Sequence, residues 1–327
     1  VTTRADTVSL TSVHEPECRH YGGEHHRLSV IDQLGTRVEH HVHEMSPFSS
    51  AWDPRFLRRI TPALDASLAY YDAEIEGFER VPDGDPVLVV GNHSGGIFMP
   101  DYWAFLRRWI RERGVERPLH ALGFDFMFAL PGVESIARRL GTVPASFENA
   151  HRVLGDGRSL LVYPGGDAAS YRPWTERHRV DLHGRTGFVR LALQHRVPVV
   201  PMVGHGSHDV IVVLTRGEAI AKGLGLNRLR IKVLPLLAGP PWGIAPIYLP
   251  TLPLPAKLTV RVCEPLDWRS LPPEAADDPV IVHRCYEETL GRMQAALDEL
   301  IEAAPHPLIE RIRDPGRRRS AARGSRP

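Results

Sequence analysis

An α/β fold with a mostly parallel central sheet flanked by helices is predicted by three features of this chain. Short aliphatic runs alternate with segments of helical period. Several of those runs end in glycine-rich turns, and no internal repeat interrupts the alternation. The chain of 327 residues is 43% apolar and 24% charged, the balance of a soluble globular protein with a sizeable core.

Residues 1–50 are polar and rich in histidine, without a sustained period, and are expected to be a flexible extension. His40-His41-x-His43 lacks the surrounding fold that a structural metal needs, so no metal is expected. Asp53-Pro54 then supplies a helix cap and a first-turn proline. Phe56, Leu57, Ile60, Leu64, Leu68 and Tyr71 follow at three- and four-residue spacing. Arg55, Arg58 and Arg59 give this helix a basic start, which suits either a solvated face or lipid headgroups.

Strands are expected near 73–79, 86–91, 119–122, 159–164, 198–203 and 257–263, with helices near 100–113, 133–140, 147–155 and 185–195 between them. The apolar stretch from Ile231 to Leu258 carries seven prolines, too many breaks for a membrane-spanning helix. With Trp242 and Tyr248 it reads as a proline-rich loop, folded over the core or dipped into a bilayer surface. A helix over 279–304, with Leu290, Met293, Leu297, Leu300 and Ile301 on one face, closes the domain. Its expected span is 51–305, and an arginine-rich, disordered tail is expected over 306–327.

The formal charge is +1, but the stretch from Arg311 holds seven arginines against Asp314 alone, which leaves the remainder mildly acidic. No Cys-His finger and no basic stripe with interleaved aromatics accompanies it, so nucleic acid is not an expected partner. Three widely spaced cysteines, Cys18, Cys263 and Cys285, imply neither a disulfide framework nor a zinc ribbon, and fit a reducing compartment. The chain begins without the pattern of a secretory leader. Val1 suggests an alternative start codon and hence a bacterial source.

The chemistry is expected at the strand exits. Asn92-His93-Ser94-Gly95-Gly96 ends the run Pro86 to Gly91, with Asp101 eight residues after the histidine. A neutral imidazole accepts a proton from an attacking hydroxyl, and a carboxylate on its other nitrogen fixes the tautomer. A second turn, Tyr163-Pro164-Gly165-Gly166-Asp167, follows the run 159–162; Arg185-Thr186-Gly187 and Pro198-Val199-Val200-Pro201 come next. Gly204-His205-Gly206-Ser207-His208-Asp209 lacks the Gly-x-Ser-x-Gly spacing of a nucleophile elbow and reads as a loop lining the same cleft.

In that order these segments match four blocks, Asn-His, Phe/Tyr-Pro-Glu/Gly-Gly, Lys/Arg-x-Gly and Pro-(Ile/Val)-(Val/Ile)-Pro. The chain therefore resembles the glycerolipid and lysophospholipid acyltransferase superfamily, in particular its branch similar to monoacylglycerol and diacylglycerol acyltransferases, over residues 51–270. The resemblance implies one glycerol-phosphate-acyltransferase-like domain. It implies transfer of a fatty acyl chain from a thioester to a glycerolipid hydroxyl, with His93 as general base and Asp101 orienting it, and no covalent enzyme intermediate. Acyl-CoA is then a co-substrate, with acyl carrier protein as the other candidate donor, and no cofactor is required. Asn92, Ser94, Gly95 and Gly96 would line the reacting centre, with backbone N–H groups near Ser94 to Gly96 as oxyanion donors. Tyr163, Pro164, Gly165 and Gly166 would place the acceptor. Arg185 beside Gly187, or Arg172 or Arg190, would meet phosphates of coenzyme A or a headgroup.

Two positions depart from the family pattern. Its acid commonly stands five residues after the histidine, where this chain has Phe98, and Asp101 comes three residues later. The branch that takes a phosphate-bearing acceptor places Glu in the second block with Arg soon after, whereas here the segment reads Gly165-Gly166-Asp167-Ala168-Ala169. Lysophosphatidate or a lysophospholipid and a neutral mono- or diacylglycerol thus remain alternative acceptors. Peripheral attachment to the inner face of the cytoplasmic membrane is expected. The rival readings are a lipid esterase with Ser94 or Ser207 as nucleophile and a noncatalytic lipid-binding homologue.

Overall fold

The computed structural model describes residues 52–313 apart from 85, 125–126, 129, 131, 226–233, 248 and 250. The expected histidine-rich extension with His40-His41-x-His43, Tyr248 and the arginines beyond Arg313 lie outside the described residues.

Helix α1 (Pro54–Tyr70) starts where the sequence places it: the Asp53 carboxylate accepts from the Arg55 and Phe56 N–H groups, both at 3.0 Å, and Leu57 and Leu64 point into the core. Strand β1 (Glu74–Glu76) is cut short by Gly77 at φ +74°. The central strands follow in alternation with helices: β2 (Leu88–Gly91), α2 (Pro100–Arg113), β3 (Leu119–Gly123), α3 (Val133–Arg139), β4 (Thr142–Pro144), α4 (Phe147–Gly155), β5 (Ser159–Val162), α5 (Gly166–Ser170), α6 (Gly187–His195) and β6 (Val199–His205).

Seven strands form the main sheet in the order β1-β10-β6-β2-β5-β3-β4, where β10 is Thr259–Val262. The five strands from β6 to β4 are parallel, Val89 lying opposite Val200 and Leu161, while β10 runs antiparallel to β6 and carries β1 with it. Every residue of β2, β5 and β6 is buried, as strands covered on both faces must be. One face packs Leu88 and Val90 against α4, α6 and the long helix α8 (Pro279–Ala303); the other packs Val87 and Val89 against α1 and α2.

Beyond β6 the chain departs from expectation. β7 (Val212–Thr215), β8 (Leu236–Gly239) and β9 (Gly243–Pro246) form a separate antiparallel sheet, with helix α7 (Glu218–Gly223) after β7. The stretch read as a proline-rich loop is therefore partly a hairpin, because Pro240 and Pro241 fall at its turn and Pro246 ends an edge strand, where a missing N–H costs no ladder bond. The expected tail also needs correction. Residues Pro307–Arg313 form helix α9, and buried Arg311 donates to the carbonyls of Ala69 and Tyr70 at 3.2 Å, satisfying the end of α1. Folded structure thus extends past 305 to at least Arg313.

Candidate active site

A parallel sheet delivers the carboxyl ends of its strands to one edge, and each connecting helix starts at that edge and runs back to the opposite one, where the next strand begins. Here β2 ends at Gly91, β5 at Val162 and β6 at His205 on that edge, and α2 starts there at Pro100. Helices α4 and α6 run back from it into β5 and β6, so Phe147 and Gly187 open at the same edge, in keeping with the 3.5 Å between a Cβ on Gly187 and the Phe147 ring.

At the β2 exit the Asn92 N–H donates to the Met202 carbonyl at 3.3 Å, which pins the turn to β6. The buried Asn92 side chain accepts from Arg172 Nη1, also at 3.3 Å. Gly95 and Gly96 then take φ of +77° and +55°, and a Cβ on Gly95 would come within 2.8 Å of the Ser207 carbonyl oxygen, so only glycine fits there. Among the described residues, the N–H groups of Ser94, Gly95 and Gly96 make no backbone hydrogen bond, which suits the expected oxyanion donors. Ser94 Oγ donates to the Asn92 carbonyl, and no hydrogen bond joins Ser94 or Ser207 to an imidazole.

His93 is half-buried, with Nδ1 inside and without a hydrogen-bond partner, so Nε2 is the nitrogen left for an incoming group. Its ring lies against Tyr163, centroids 5.1 Å apart and planes at 44°. Burial, and after it the positive charge of Arg172, lowers its pKa to about 4, which keeps the ring in its neutral form. Asp101 sits in the first turn of α2, 1% exposed. Burial pushes its carboxyl up to about 7, against the opposing pull of the Tyr163 hydroxyl, the first-turn amides of Asp101 and Tyr102, and Arg172. The expected His93–Asp101 hydrogen bond is not formed: both carboxylate oxygens, His93 Nδ1 and the Tyr163 hydroxyl are all buried without a bond of normal geometry. The structure brings the two residues to one edge and stops short of joining them.

Tyr163 is held by shape. A Cβ on Gly91 would stand 2.3 Å from its ring, so the ring lies flat on the glycine backbone. Pro164 is half-buried, Gly165 is buried at φ +106°, and Gly166 opens α5 at φ +57°. The three candidate arginines separate sharply. Arg172 is fully buried, donating to Asn92 and, at 3.4 Å, to the Ala169 carbonyl, while its Nε and Nη2 have no partner; burial lowers its pKa to about 10. Arg190 is tied to the Ala276 carbonyl. Arg185 is exposed beside the start of α6.

The loop expected to line the same cleft supplies a further buried residue, to which the sequence gives no individual role. Ser207-His208-Asp209 is a 3-10 turn after β6, and His208 Nε2 donates to the Arg172 carbonyl at 2.8 Å. Burial, with Arg172 next, lowers the His208 pKa to about 3. Its only sequence signal is its place just past a buried strand end. Conversely, the basic start of α1 lies away from the site. The Asp53 N–H donates to the carbonyl of Arg139, at the far end of α3, and Arg58 pairs with Glu116 at 2.7 Å.

Comparison with known proteins gives one family model, several sequence relatives and a solved structure. The family model described as Acyltransferase matches residues 72–204. The uncharacterized protein Rv0502 of Mycobacterium tuberculosis (strain ATCC 25618 / H37Rv) is 30% identical over 76% of this chain and 68% of its own length. The DGAT1/2-independent enzyme synthesizing storage lipids from Gallus gallus is 27% identical over 71% of this chain and 60% of its own. The crystal structure of the 1-acyl-sn-glycerophosphate (LPA) acyltransferase PlsC from Thermotoga maritima overlaps 82% of this chain and 88% of that one, with a TM-score of 0.45 and 17% identity. The matched segment runs from β1 to the end of β6 and holds the Asn92-His93, Asp101 and Tyr163-to-Gly166 positions. This chain belongs to the Acyltransferase family and is an acyltransferase.

Proposed function

We propose that the protein moves a fatty acyl chain from acyl-CoA to the hydroxyl of a neutral glycerolipid, with His93 as the general base. The observation that carries this reading is a histidine at the carboxyl edge, held neutral and packed on Tyr163, with one nitrogen inside and the other open, on the edge that also holds Asp101. The acceptor hydroxyl gives its proton to His93 Nε2 as its oxygen attacks the thioester carbonyl carbon. The resulting oxyanion is met by N–H groups of the Ser94 to Gly96 turn, and its collapse breaks the C–S bond. The imidazolium then returns the proton to the departing thiolate, so the products are an ester and free coenzyme A. An imidazole this reluctant to protonate is a weak base alone. Asp101 brought onto Nδ1 supplies the missing basicity and stabilises the imidazolium.

A neutral acceptor, mono- or diacylglycerol, is favoured over lysophosphatidate by the arginines. Arg172 faces inward onto Asn92 and Arg190 is occupied by a carbonyl, which leaves Arg185 for phosphates of the donor. The relative named for storage-lipid synthesis points the same way. The lipid reaches the site from a membrane surface, with the protein attached peripherally on the cytoplasmic side. Among the described residues no helix is long and apolar enough to cross a bilayer. The esterase alternative loses support from Ser94, whose hydroxyl is turned onto its own turn.

Release of free thiol from acyl-CoA, in the presence of vesicles carrying each acceptor in turn, tests the reading. His93→Ala is expected to lose at least about 10²-fold in turnover while still sedimenting with vesicles. Undiminished thiol release by that variant overturns the assignment, and preference for lysophosphatidate overturns the acceptor.

A further inference from the structure

We propose that Tyr163 is a positioning residue whose hydroxyl donates to one oxygen of the Asp101 carboxylate, leaving the other oxygen for His93 Nδ1. The inference rests on the general-base reading of His93 and Asp101, and adds to it the group that aims the acid. Three observations support it. The Tyr163 ring packs on His93 and is held flat by the Gly91 backbone, so its hydroxyl has little freedom to point elsewhere. That hydroxyl, both Asp101 oxygens and His93 Nδ1 are buried polar atoms with no completed bond, a state that costs free energy until they find one another. Phenol and carboxylate also act on each other directly: the hydroxyl steadies the charged carboxylate, and after burial the carboxylate is the foremost cause that holds the phenol protonated.

Four elements bring polar groups up to the same carboxylate. From the β5 exit comes Tyr163; from the segment after α5 comes Arg172, whose Nη1 is spent on Asn92 and Ala169 while Nε and Nη2 stay unpaired, so it acts on the carboxylate as a charge without a hydrogen bond. From β6, Gly204 lies against the Asp101 Cβ, and the Ser207 side chain packs on that glycine. From α2 itself come only the amides of Asp101 and Tyr102, with the Tyr102 phenol facing Tyr163. Of the neutral side-chain hydroxyls here, Ser207 Oγ is also unpaired, but the Tyr163 hydroxyl is the one that acts on the carboxylate directly. A phenylalanine in this position of the block would preserve the packing and lose the aim, so the tyrosine carries information beyond its shape.

The test is the acid side of the pH profile of kcat/KM for thiol release, which reports ionisation of Asp101. Tyr163→Phe, which keeps the ring, is expected to move that limb up by about one pH unit, the worth of one hydrogen bond to a charged group. Incorporation of 3,5-difluorotyrosine at position 163, a stronger donor of nearly the same volume, is expected to move it down. A ring needed only for packing would leave the limb in place in both proteins, and that result overturns the proposal. If Tyr163→Phe does not fold, the fluorinated protein alone decides by the direction of its shift. Asp101→Asn separates the two levels of the argument. If it removes the limb while the Tyr163 changes leave the limb unmoved, the tyrosine role fails alone; if it keeps both limb and turnover, the parent role of Asp101 fails.

Discussion

Asp101 must carry a charge to orient His93, yet it sits where a charge is costly. With its carboxyl pushed up to about 7, the proposed reaction loses its acid partner as pH falls through neutrality, well before His93 protonates near 4. The acid limb is therefore expected near pH 7 and belongs to the carboxylate. The same shift has a sign for folding. The native state binds this proton more tightly than the unfolded chain, so the favourable contribution is complete below the ordinary carboxylate pKa and is lost as pH rises through about 7. Asp101→Asn is expected to raise stability at pH 8 by up to about 4 kcal/mol, with no gain at pH 4, as measured by urea unfolding at the two pH values. Equal effects at both would mean the buried charge is not what costs. Legibility at this scale was uneven. His93 and the ordered blocks were readable because glycine-rich strand exits leave local marks. The inward turn of Arg172, the burial of His208 and the choice of Tyr163 by Asp101 arise between segments tens of residues apart, where no spacing rule reaches.

Among elements, the strands and helices of the parallel sheet were legible because buried β-branched runs and capped amphipathic helices write their period into the sequence. What was missed is short or paired across distance: β4 has three residues, and the hairpin β8–β9 is concealed by prolines that sit at its turn and its edge. Helix α9 was lost among arginines, although Arg311 serves α1 as a buried hydrogen-bond donor. The turn that ends β6 shows how tightly such a junction is drawn. Gly206 has φ +86°, and a Cβ there would stand 1.9 Å from the Lys257 carbonyl oxygen, so backbone must move to admit it. Gly206→Ala is expected to destabilise by more than about 2 kcal/mol and to displace the Ser207-His208-Asp209 turn. Gly157, at φ +68° with nothing within 4 Å, isolates the cost of conformation, and Gly157→Ala should lose only about 1 kcal/mol. Thermal unfolding of the pair checks this, and equal losses would assign the whole effect to backbone strain.

At the scale of the molecule, the two edges of the sheet differ in what they expose. Phe124 follows β3 at the carboxyl edge, and Ile136 lies at the middle of α3, the helix that follows on from that edge, each about half exposed. Trp242 stands similarly open at the turn of the hairpin that extends the chain beyond β6. Apolar side chains exposed on these elements can dip into a bilayer surface, each adding roughly 1–2 kcal/mol if fully covered. The opposite edge provides the control. Helix α8 ends at the carboxyl edge, where the Ala304 carbonyl accepts from His205, so Val280 at its start lies on the far side although it is still more exposed. Replacing Phe124, Ile136 and Trp242 together by glutamate is expected to weaken sedimentation with neutral vesicles by at least about 10²-fold, whereas Val280→Glu should leave it unchanged. The orientation follows from the difference: equal loss in both proteins would mean that the membrane meets no particular edge, and the route by which an acyl acceptor reaches His93 would then have to be sought elsewhere on the surface.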